Sequence, residues 1–343
     1  MGGTIRRLAQ ACAKSLGALA IGLLAASAVQ AQTPPAPTAD QVAQTMGRGL
    51  NVLGYDALWN DPSKARFHIR DFQIIRDGGF KTIRVNLQAM SHMDADNRLD
   101  PQWLATLDWV VRESQKAGLD VILDEHDYEI CGRDVGGCRP KLMAFWRQVS
   151  ERYKDAPPSV LFEILNEPDT QVTADVWNSM LAEALGIIRQ TNPTRTVVIG
   201  PVFWNSFSHL GELQLPTDDH NILVTVHYYL PMTFTHQGAS WVESTKNLSG
   251  ITWGSPEEYA RLNADFDTIA AWSKANNRPI FLGEFGAYDK GDMASRDRYV
   301  GAVARAAEAR GFPWAYWQFD SNFLAYDLDH DHWIEPIHKA LVP

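Results

Sequence analysis

Short, almost wholly apolar segments recur along this 343-residue chain, and longer stretches with helical periodicity separate them. Val121–Leu123 and Val197–Ile199 are examples in which no polar residue interrupts the apolar run. A strand with one solvated face alternates apolar and polar residues, whereas a parallel strand that helices cover on both faces is apolar throughout. The pattern therefore predicts a parallel sheet whose strands are joined by helices.

The alternation of strand and helix occurs eight times, which fits a (β/α)8 barrel. The predicted strands are Arg48–Leu53, Thr82–Asn86, Asp120–His126, Val160–Asn166, Thr196–Gly200, Ile222–Tyr228, Ile280–Glu284 and Trp314–Phe319. The helical patterns include Pro101–Ala117, Lys141–Lys154, Ala174–Gln190, Pro256–Asn276 and Ala294–Arg310. We therefore predict the α/β class and a single-domain TIM barrel over residues 45–343. An open, doubly wound sheet is the alternative, but such sheets usually have a glycine-rich phosphate turn after the first strand, which Leu50–Gly54 is not.

Residues 1–31 have the features of a secretory signal. A start with three cations precedes an apolar core, Leu16–Val29, and small residues allow cleavage after Ala31. Because the apolar run is too short to span a bilayer, we predict a secreted or periplasmic protein with no membrane insertion after signal removal. The sequence does not distinguish export by the Sec pathway from export by the twin-arginine pathway. We expect the Pro-, Thr- and Ala-rich segment 32–44 to be flexible.

The chain is acidic, with a formal net charge of −10 that becomes −13 once the three cations of the signal are removed. A negative surface argues against a nucleic-acid partner and favours a neutral polymer over an anionic one as substrate. The sequence has neither a phosphate-binding loop nor a cluster of metal ligands, so we expect no cofactor and no metal. We further expect a monomer.

Two cysteines, Cys131 and Cys138, follow the predicted signal. In an exported protein an even pair is typical of a disulfide, and the glycines between the two residues let so short a loop close. We therefore predict a disulfide; half of a metal site is the alternative.

Carboxylates end two of the apolar runs. Glu167 follows Phe162–Asn166, and Glu284 follows Ile280–Gly283. In a barrel the carboxyl ends of the strands surround the active-site mouth, so both groups are expected there. Two carboxyls that flank one bond are the minimum needed to hydrolyse a glycoside. Further polar and aromatic residues lie at strand ends: Arg84 and Asn86, His126, Asn166, His227 and Tyr229, and Trp317.

At these positions the chain resembles glycoside hydrolase family 5, the cellulase-type retaining enzymes that act with two glutamates. The matching phrases are Ile83–Asn86, Asp124–His126, Leu165–Pro168, His227–Tyr229, Gly283–Gly286 and Trp317–Phe319. The resemblance implies a (β/α)8 barrel with Glu167 as acid/base and Glu284 as nucleophile. It also implies that the following residues line the site at the bond that is cut: Arg84, His126, Asn166, His227, Tyr229 and Trp317. Asp127 departs from the family pattern, in which a second His or Asn is common, and this departure leaves the sugar preference open.

These roles make physical demands on the site. Glu167 must keep its proton near neutral pH, which requires burial or a nearby carboxylate to raise its pKa. Glu284 must stay ionised, and Arg84 and Tyr229 are the groups expected to hold it so. Glu163 is a nearby carboxylate deeper in the barrel, and we predict it to be a buried structural partner.

Three further residues are predicted to contact sugar. Trp204 and Trp241 lie in predicted loops, where an exposed indole can stack on a pyranose ring; the alternative is that both are core residues. Asn51 lies near the carboxyl end of the first predicted strand and is also predicted to contact sugar.

Asp327, Asp329 and Asp331 have the opening spacing of a calcium loop. His332 occupies the position that such a loop gives to glycine, and no glutamate closes it. We expect a solvated or substrate-side loop, and ion binding there stays open.

The sequence thus predicts an exported, metal-independent retaining endo-β-1,4-glucanase whose partner is a β-linked polysaccharide or oligosaccharide. A β-mannanase, a xyloglucanase, another β-glucanase or an exo-acting β-glucosidase would use the same pair of glutamates, so the sugar, the linkage and endo or exo action stay open. An alternative of a different class is a non-catalytic, carbohydrate-binding barrel.

Overall fold

The computed structural model describes residues 36–343, so the predicted signal and residues 32–35 lie outside the described residues. Eight parallel strands form a closed barrel in chain order, in which β8 pairs with β1. The strands are β1 (Arg48–Val52), β2 (Thr82–Leu87), β3 (Asp120–Glu125), β4 (Val160–Glu163), β5 (Val197–Ile199), β6 (Ile222–Tyr228), β7 (Ile280–Phe285) and β8 (Trp314–Tyr316). The predicted single-domain (β/α)8 barrel is confirmed.

Helices connect the strands around the barrel. The α-helices are α1 (Ala39–Met46), α2 (Ile69–Asp77), α3 (Pro101–Lys116), α4 (Tyr128–Arg133), α5 (Val135–Arg152), α6 (Ala174–Thr191), α8 (Met232–Thr235), α9 (Pro256–Asn276), α10 (Met293–Glu308) and α11 (Glu335–Leu341), and the short segment α7 (Val202–Asn205) is a turn with left-handed residues. Short 3-10 helices occupy Ala57–Trp59, Pro62–Lys64, Ala89–His92 and Phe207–Glu212. A two-stranded ribbon of β9 (Tyr326–Asp327) and β10 (His332–Trp333) follows β8. Within residues 36–343, no helix is long and apolar enough to cross a membrane.

The side chains inside the barrel form an apolar layer near the amino-terminal end of the strands. The residues of this cluster are Ile122, Leu161, Val198, Leu223, Phe281 and Ala315 from the strands and Ala39, Val42, Ala43 and Met46 from α1. Asp124 and Glu163 lie two positions beyond Ile122 and Leu161, on the same face of their strands, so a charged layer follows the apolar one. The helix α1 therefore closes one end of the barrel, and the polar groups collect toward the other.

The position of α1 corrects the prediction that segment 32–44 is flexible for its residues 39–44, which the structure describes as helix. The helix begins at Ala39, inside that segment, and its apolar face is buried against the barrel. A capping box fixes its start, because Gln41 N donates to Thr38 Oγ1 at 3.4 Å and Thr38 N donates to Gln41 Oε1 at 2.9 Å. Burial of this apolar face orders the helix, which the composition of the segment does not suggest.

The helix α5 begins at Val135 rather than at the predicted Lys141. Two glycines and Pro140 lie in its first turns, and their low helix propensity explains why the pattern does not predict helix there. Asp134 starts the helix, because its Oδ1 accepts a hydrogen bond from Gly137 N at 2.9 Å.

The predicted disulfide between Cys131 and Cys138 is present and joins α4 to α5. Gly132, beside the first cysteine, packs against the loop that follows β4. A Cβ on Gly132 would lie 2.9 Å from Asp169 Oδ1, and its carbonyl accepts a hydrogen bond from Gln171 N at 3.2 Å. The cross-linked segment thus supports the loop at the carboxyl end of β4.

An irregularity in β7 changes which of its side chains point into the barrel. The consecutive β6 residues 226–227 pair with Leu282 and Glu284, so the register skips Gly283. Phe281 belongs to the apolar layer inside the barrel, and regular alternation from Phe281 would turn Glu284 outward. The extra residue acts as a β-bulge and turns Glu284 inward.

Candidate active site

Arg84 is the centre of the buried polar layer, and its five N–H groups all have acceptors. Nε and Nη2 donate to the two oxygens of Glu163 at 2.7 and 2.8 Å. Nη1 donates to Asn51 Oδ1 and to Glu284 Oε1, both at 2.8 Å. Nη2 also donates to Asn166 Oδ1 at 2.7 Å. Since a guanidinium has five donors in one plane, these acceptors are placed by a single rigid group.

Three buried carboxylates surround this one cation: Glu163, Glu284 and Asp124, whose Oδ2 lies 3.1 Å from Arg84 Nη2. Burial alone would lower the pKa of Arg84, but the three carboxylates raise it well above its usual range. Burial raises the pKa of Glu163 to about 7, against the opposing charge of Arg84. The prediction that Glu163 is a buried structural partner is confirmed.

Glu284 is held at both oxygens. Arg84 binds Oε1, and the hydroxyl of Tyr229 donates to Oε2 at 2.9 Å. Burial raises the pKa of Glu284, while Arg84 and the hydrogen bond from Tyr229 oppose that rise. A carboxylate that is fixed in one orientation beside a permanent cation is suited to act as a nucleophile.

Glu167 has a different environment from Glu284. Its φ of 41° is in the left-handed region, which is uncommon for a residue with a side chain. Its Oε1 lies 2.6 Å from His227 Nδ1, and the side chain is mostly buried, with 13% of its surface exposed. Burial raises the pKa of Glu167 well above its usual value, and the negative charge of Glu284 raises it further. A carboxyl with a raised pKa keeps its proton near neutral pH and can act as an acid.

The two glutamates and His227 converge. One carboxylate oxygen of each glutamate and one ring nitrogen of His227 lie within 4.8 Å of one another. Among residues 36–343 this is the one group of three His, Cys, Asp or Glu side chains close enough to hold a metal ion. Burial lowers the pKa of His227 well below its usual value, and the charge of Arg84 lowers it further, so the ring is neutral.

His126 joins the charged layer to the mouth of the barrel. Its Nδ1 lies 2.5 Å from Asp124 Oδ2, and Asn166 Nδ2 donates to its Nε2 at 3.3 Å. The ring stacks on that of Trp317, with centroids 5.6 Å apart and planes 10° apart. Trp317 stays partly exposed, so its indole is available to a ligand in the mouth.

Comparison with known proteins gives the family. The family 5 glycosyl hydrolase profile, described as cellulase, matches residues 43–323. The chain belongs to glycosyl hydrolase family 5. Endoglucanase H of Acetivibrio thermocellus is 30% identical in an alignment of 306 residues that covers 87% of this chain and 32% of that protein. Endoglucanase A of Clostridium longisporum is 28% identical, over 86% of this chain and 62% of that protein. The chain thus spans less than two thirds of these relatives.

Solved structures share this fold over their whole length. Thermotoga maritima Cel5A, solved in complex with cellobiose, has a TM-score of 0.85 and 36% identity, and the match covers 89% of this chain and 100% of that one. The same enzyme, solved with mannotriose, matches equally well. The cellulose synthase subunit Z of Clostridioides difficile has a TM-score of 0.82 and 34% identity, covering 87% of this chain and 100% of that one.

Asn51 does not lie where its place in the sequence suggested a sugar contact. It is fully buried beneath the mouth. Its Nδ2 donates to the carbonyl of Gly283 at 2.9 Å, and its Oδ1 accepts from Arg84 and from Asn86 Nδ2 at 3.1 Å. All its polar atoms bond to protein, so Asn51 supports Arg84 and the bulge in β7 instead of binding sugar.

The two tryptophans predicted as sugar platforms of this family 5 protein are both at the surface. Trp204 is 46% exposed and Trp241 is 52% exposed, which rules out the alternative that they are core residues. Trp59 and Trp253, two other loop tryptophans, are buried. The exposure of Trp204 and Trp241 meets the first requirement of a stacking platform.

The carboxylates of Asp327, Asp329 and Asp331 do not converge. Asp327 Oδ1 accepts hydrogen bonds from the backbone of its own turn, Asp329 pairs with Arg66 at 3.1 Å, and Asp331 pairs with Arg70 at 2.9 Å. The loop is therefore an exposed set of ion pairs, in agreement with the expectation of a solvated loop.

Sequence reasoning missed two buried residues of the site, Asp124 and Asn205. Asp124 is a charged residue in an apolar strand, two positions before His126, and this pattern could have identified it. Asn205 is fully buried, and its Nδ2 lies 3.2 Å from His227 Nε2. It follows two other residues with positive φ, Phe203 and Trp204, and no feature of the sequence predicts that turn.

We predict that Arg84→Met lowers the free energy of unfolding by about 3–5 kcal/mol, because it leaves buried carboxylates without their cation. Turnover should also be lost, since Glu284 loses the group that orients it. Arg84→Lys should regain part of the stability but little of the turnover, because one ammonium cannot replace five planar donors. Denaturant unfolding and the turnover of the folded fraction measure both effects.

Arg195→Met is the matched control, because Arg195 is a buried arginine that donates mainly to main-chain carbonyls such as those of Tyr153 and Val160. It should lower stability and leave the turnover of the folded fraction unchanged. Wild-type turnover in folded Arg84→Met would contradict the role given to Arg84.

Proposed function

We propose that this protein is an endo-β-1,4-glucanase that hydrolyses its substrate by double displacement with retention of configuration. The observation that supports this proposal most strongly is the approach of a Glu167 oxygen to within 4.8 Å of a Glu284 oxygen. Carboxyl groups about 5–5.5 Å apart are typical of retaining glycosidases, whereas inverting enzymes need about 6.5–9.5 Å to admit a water molecule. At this separation one carboxylate must attack the sugar itself.

The environments of the two glutamates assign their roles. Glu284, oriented by Arg84 and Tyr229, attacks the anomeric carbon as nucleophile. Glu167, whose pKa is raised by burial, gives its proton to the leaving oxygen, and the bond between that oxygen and the anomeric carbon breaks. A glycosyl ester on Glu284 and a shortened glucan are the products of this first step.

The second step follows from the electrostatic coupling between the two carboxyls. The charge of Glu284 is one reason that the pKa of Glu167 is raised. Formation of the ester removes that charge, so the pKa of Glu167 falls and the group becomes a base. Glu167 then takes a proton from water, the water oxygen attacks the anomeric carbon, and the ester bond to Glu284 breaks. Two inversions leave the configuration unchanged.

The choice of β-1,4-glucan as substrate rests on the relatives. Several of them are named endoglucanases, and Cel5A of Thermotoga maritima was solved with cellobiose. Mannan is the second candidate, because the same enzyme was solved with mannotriose. Trp204 and Trp241 would stack on sugar rings beyond the bond that is cut, and Trp317 on the ring beside it.

We also propose that the protein is exported and acts outside the cytoplasm as a monomer. The signal features of residues 1–31 support export, and so does the disulfide between Cys131 and Cys138, because disulfides persist in oxidising compartments. A polymer too large to enter a cell requires an enzyme on the same side of the membrane.

A panel of defined polysaccharides tests the substrate. We expect hydrolysis of soluble β-1,4-glucan with early release of mixed oligosaccharides, which shows cleavage inside the chain, and slower hydrolysis of β-1,4-mannan, xyloglucan and β-1,3-glucan. Chromatography of early products measures this. Faster hydrolysis of mannan would contradict the proposed substrate. Release of glucose alone would contradict cleavage inside the chain. Binding without hydrolysis of any member would favour the non-catalytic barrel.

We predict that Glu167→Gln lowers kcat/KM on unactivated glucan oligosaccharides by about 10²–10⁴-fold, the contribution of a general acid. The loss should be much smaller on a dinitrophenyl cellobioside, because that leaving group departs without a proton. Initial rates on the two substrates measure the difference. The control Glu308→Gln changes a glutamate that pairs with Arg48, away from the mouth, and should affect neither substrate. Equal losses on both substrates would show that Glu167 is not the acid.

A further inference from the structure

His227 lies between an amide and a carboxyl group. On one side, Asn205 Nδ2 is 3.2 Å from Nε2 of the ring. On the other side, Nδ1 is 2.6 Å from Glu167 Oε1. In this orientation of the amide its nitrogen faces the ring and can only donate a hydrogen bond, so the ring nitrogen that faces it accepts and has no hydrogen of its own.

The neutral ring of His227 has one proton to place. Burial, and the charge of Arg84, lower the pKa of His227 well below its usual value, so the doubly protonated form is not populated near neutral pH. If Nε2 accepts from Asn205, the single proton must be on Nδ1, which faces Glu167. His227 then donates to Glu167 Oε1.

We propose that Asn205 is a positioning residue for the acid: it fixes His227 as the Nδ1–H tautomer and thereby keeps Glu167 Oε1 occupied as an acceptor. The transferable proton of Glu167 is then on its other oxygen, Oε2, and is free for the leaving group. In the opposite tautomer, Nδ1 would be unprotonated and would accept the proton of Glu167 instead. This inference rests on the proposed role of Glu167 as the acid.

The backbone holds Asn205 in place for this task. Phe203, Trp204 and Asn205 have φ values of 64°, 57° and 51°. Such a run of left-handed backbone conformations is rare for residues other than glycine. Phe203 N donates to the carbonyl of Pro168, the residue after Glu167, at 2.9 Å. The turn that presents Asn205 is thus hydrogen-bonded to the segment that presents the acid.

Two glycines leave space for the side chains of Asn205 and His227. A Cβ on Gly200 would lie 2.2 Å from Asn205 Oδ1 and 2.5 Å from its Cγ. Gly283, the bulge residue of β7, leaves space for the ring in the same way, because a Cβ there would lie 2.9 Å from His227 Nε2. The contact between Asn205 and His227 therefore depends on two glycines, one directly after β5 and one at the bulge of β7.

The tautomer of His227 can be measured in the unmodified enzyme. In protein labelled with 15N-histidine, the signals of His227 are those that disappear in His227→Gln. We expect Nδ1 to show the shift and the coupled hydrogen of a protonated ring nitrogen, and Nε2 to show the shift of an unprotonated one. A protonated Nε2 beside an unprotonated Nδ1 would overturn the proposal, whatever the outcome for the role of Glu167.

Kinetics test whether the tautomer matters. Asn205→Ala should lower kcat/KM about 10-fold more on unactivated oligosaccharides than on a dinitrophenyl cellobioside, a part of the about 10²–10⁴-fold that a general acid contributes. If that variant does not fold, the isosteric Asn205→Asp serves, because a carboxylate only accepts and should draw a proton onto Nε2 in the 15N spectrum. Equal losses on both substrates, in whichever variant folds, would overturn the proposal.

Asn192→Ala is the matched control. Asn192 is also a buried asparagine, and its Nδ2 donates to the carbonyl of Ser150 at 2.8 Å, outside the site. It should lower stability and show no dependence on the leaving group. The substrate dependence of Glu167→Gln separates the two claims: if Glu167→Gln behaves as an acid variant and Asn205→Ala does not, the inference about Asn205 alone fails.

Discussion

The hydrogen-bond geometry of Arg84 constrains the whole site. Its five donors reach Asn51, Glu163, Asn166 and Glu284, which come from β1, from β4 and the segment after it, and from β7. A buried guanidinium is stable only if its charge and its donors are satisfied, and here three carboxylates surround it. One planar group thus holds the nucleophile in place and joins strands on different sides of the barrel.

Regular strands alone would not bring the two glutamates together. The bulge at Gly283 turns Glu284 into the barrel, and the left-handed backbone of Glu167, in the loop after β4, turns its carboxyl toward His227. Residues in such backbone conformations persist only where the surroundings determine them. The disulfide-linked segment near Gly132 and the turn at Phe203 both form backbone hydrogen bonds with the loop after β4. These hydrogen bonds hold the backbone of Glu167 in its left-handed conformation.

Most of the barrel could be predicted from the sequence, because apolar strands and helical patterns alternate without interruption. Glu167 and Glu284 could be placed at strand ends, but strand alternation from Phe281 points Glu284 the wrong way, and only the bulge corrects it. Asn51 was expected at the sugar because it lies near the carboxyl end of a strand, yet its oxygen accepts a hydrogen bond from Arg84 instead. Segment 32–44 was expected to be flexible because its composition does not show that the apolar face of α1 packs against the apolar layer inside the barrel.

The stereochemistry of hydrolysis tests the central claim, that Glu284 attacks the anomeric carbon while Glu167 donates and later accepts a proton. Proton NMR of a β-1,4-linked oligosaccharide digest, recorded before mutarotation, follows the anomer that forms first. Double displacement predicts the β-anomer first, with the α-anomer appearing only as mutarotation proceeds. Immediate formation of the α-anomer would show that water attacks directly, and would contradict the assignment of Glu284 as nucleophile.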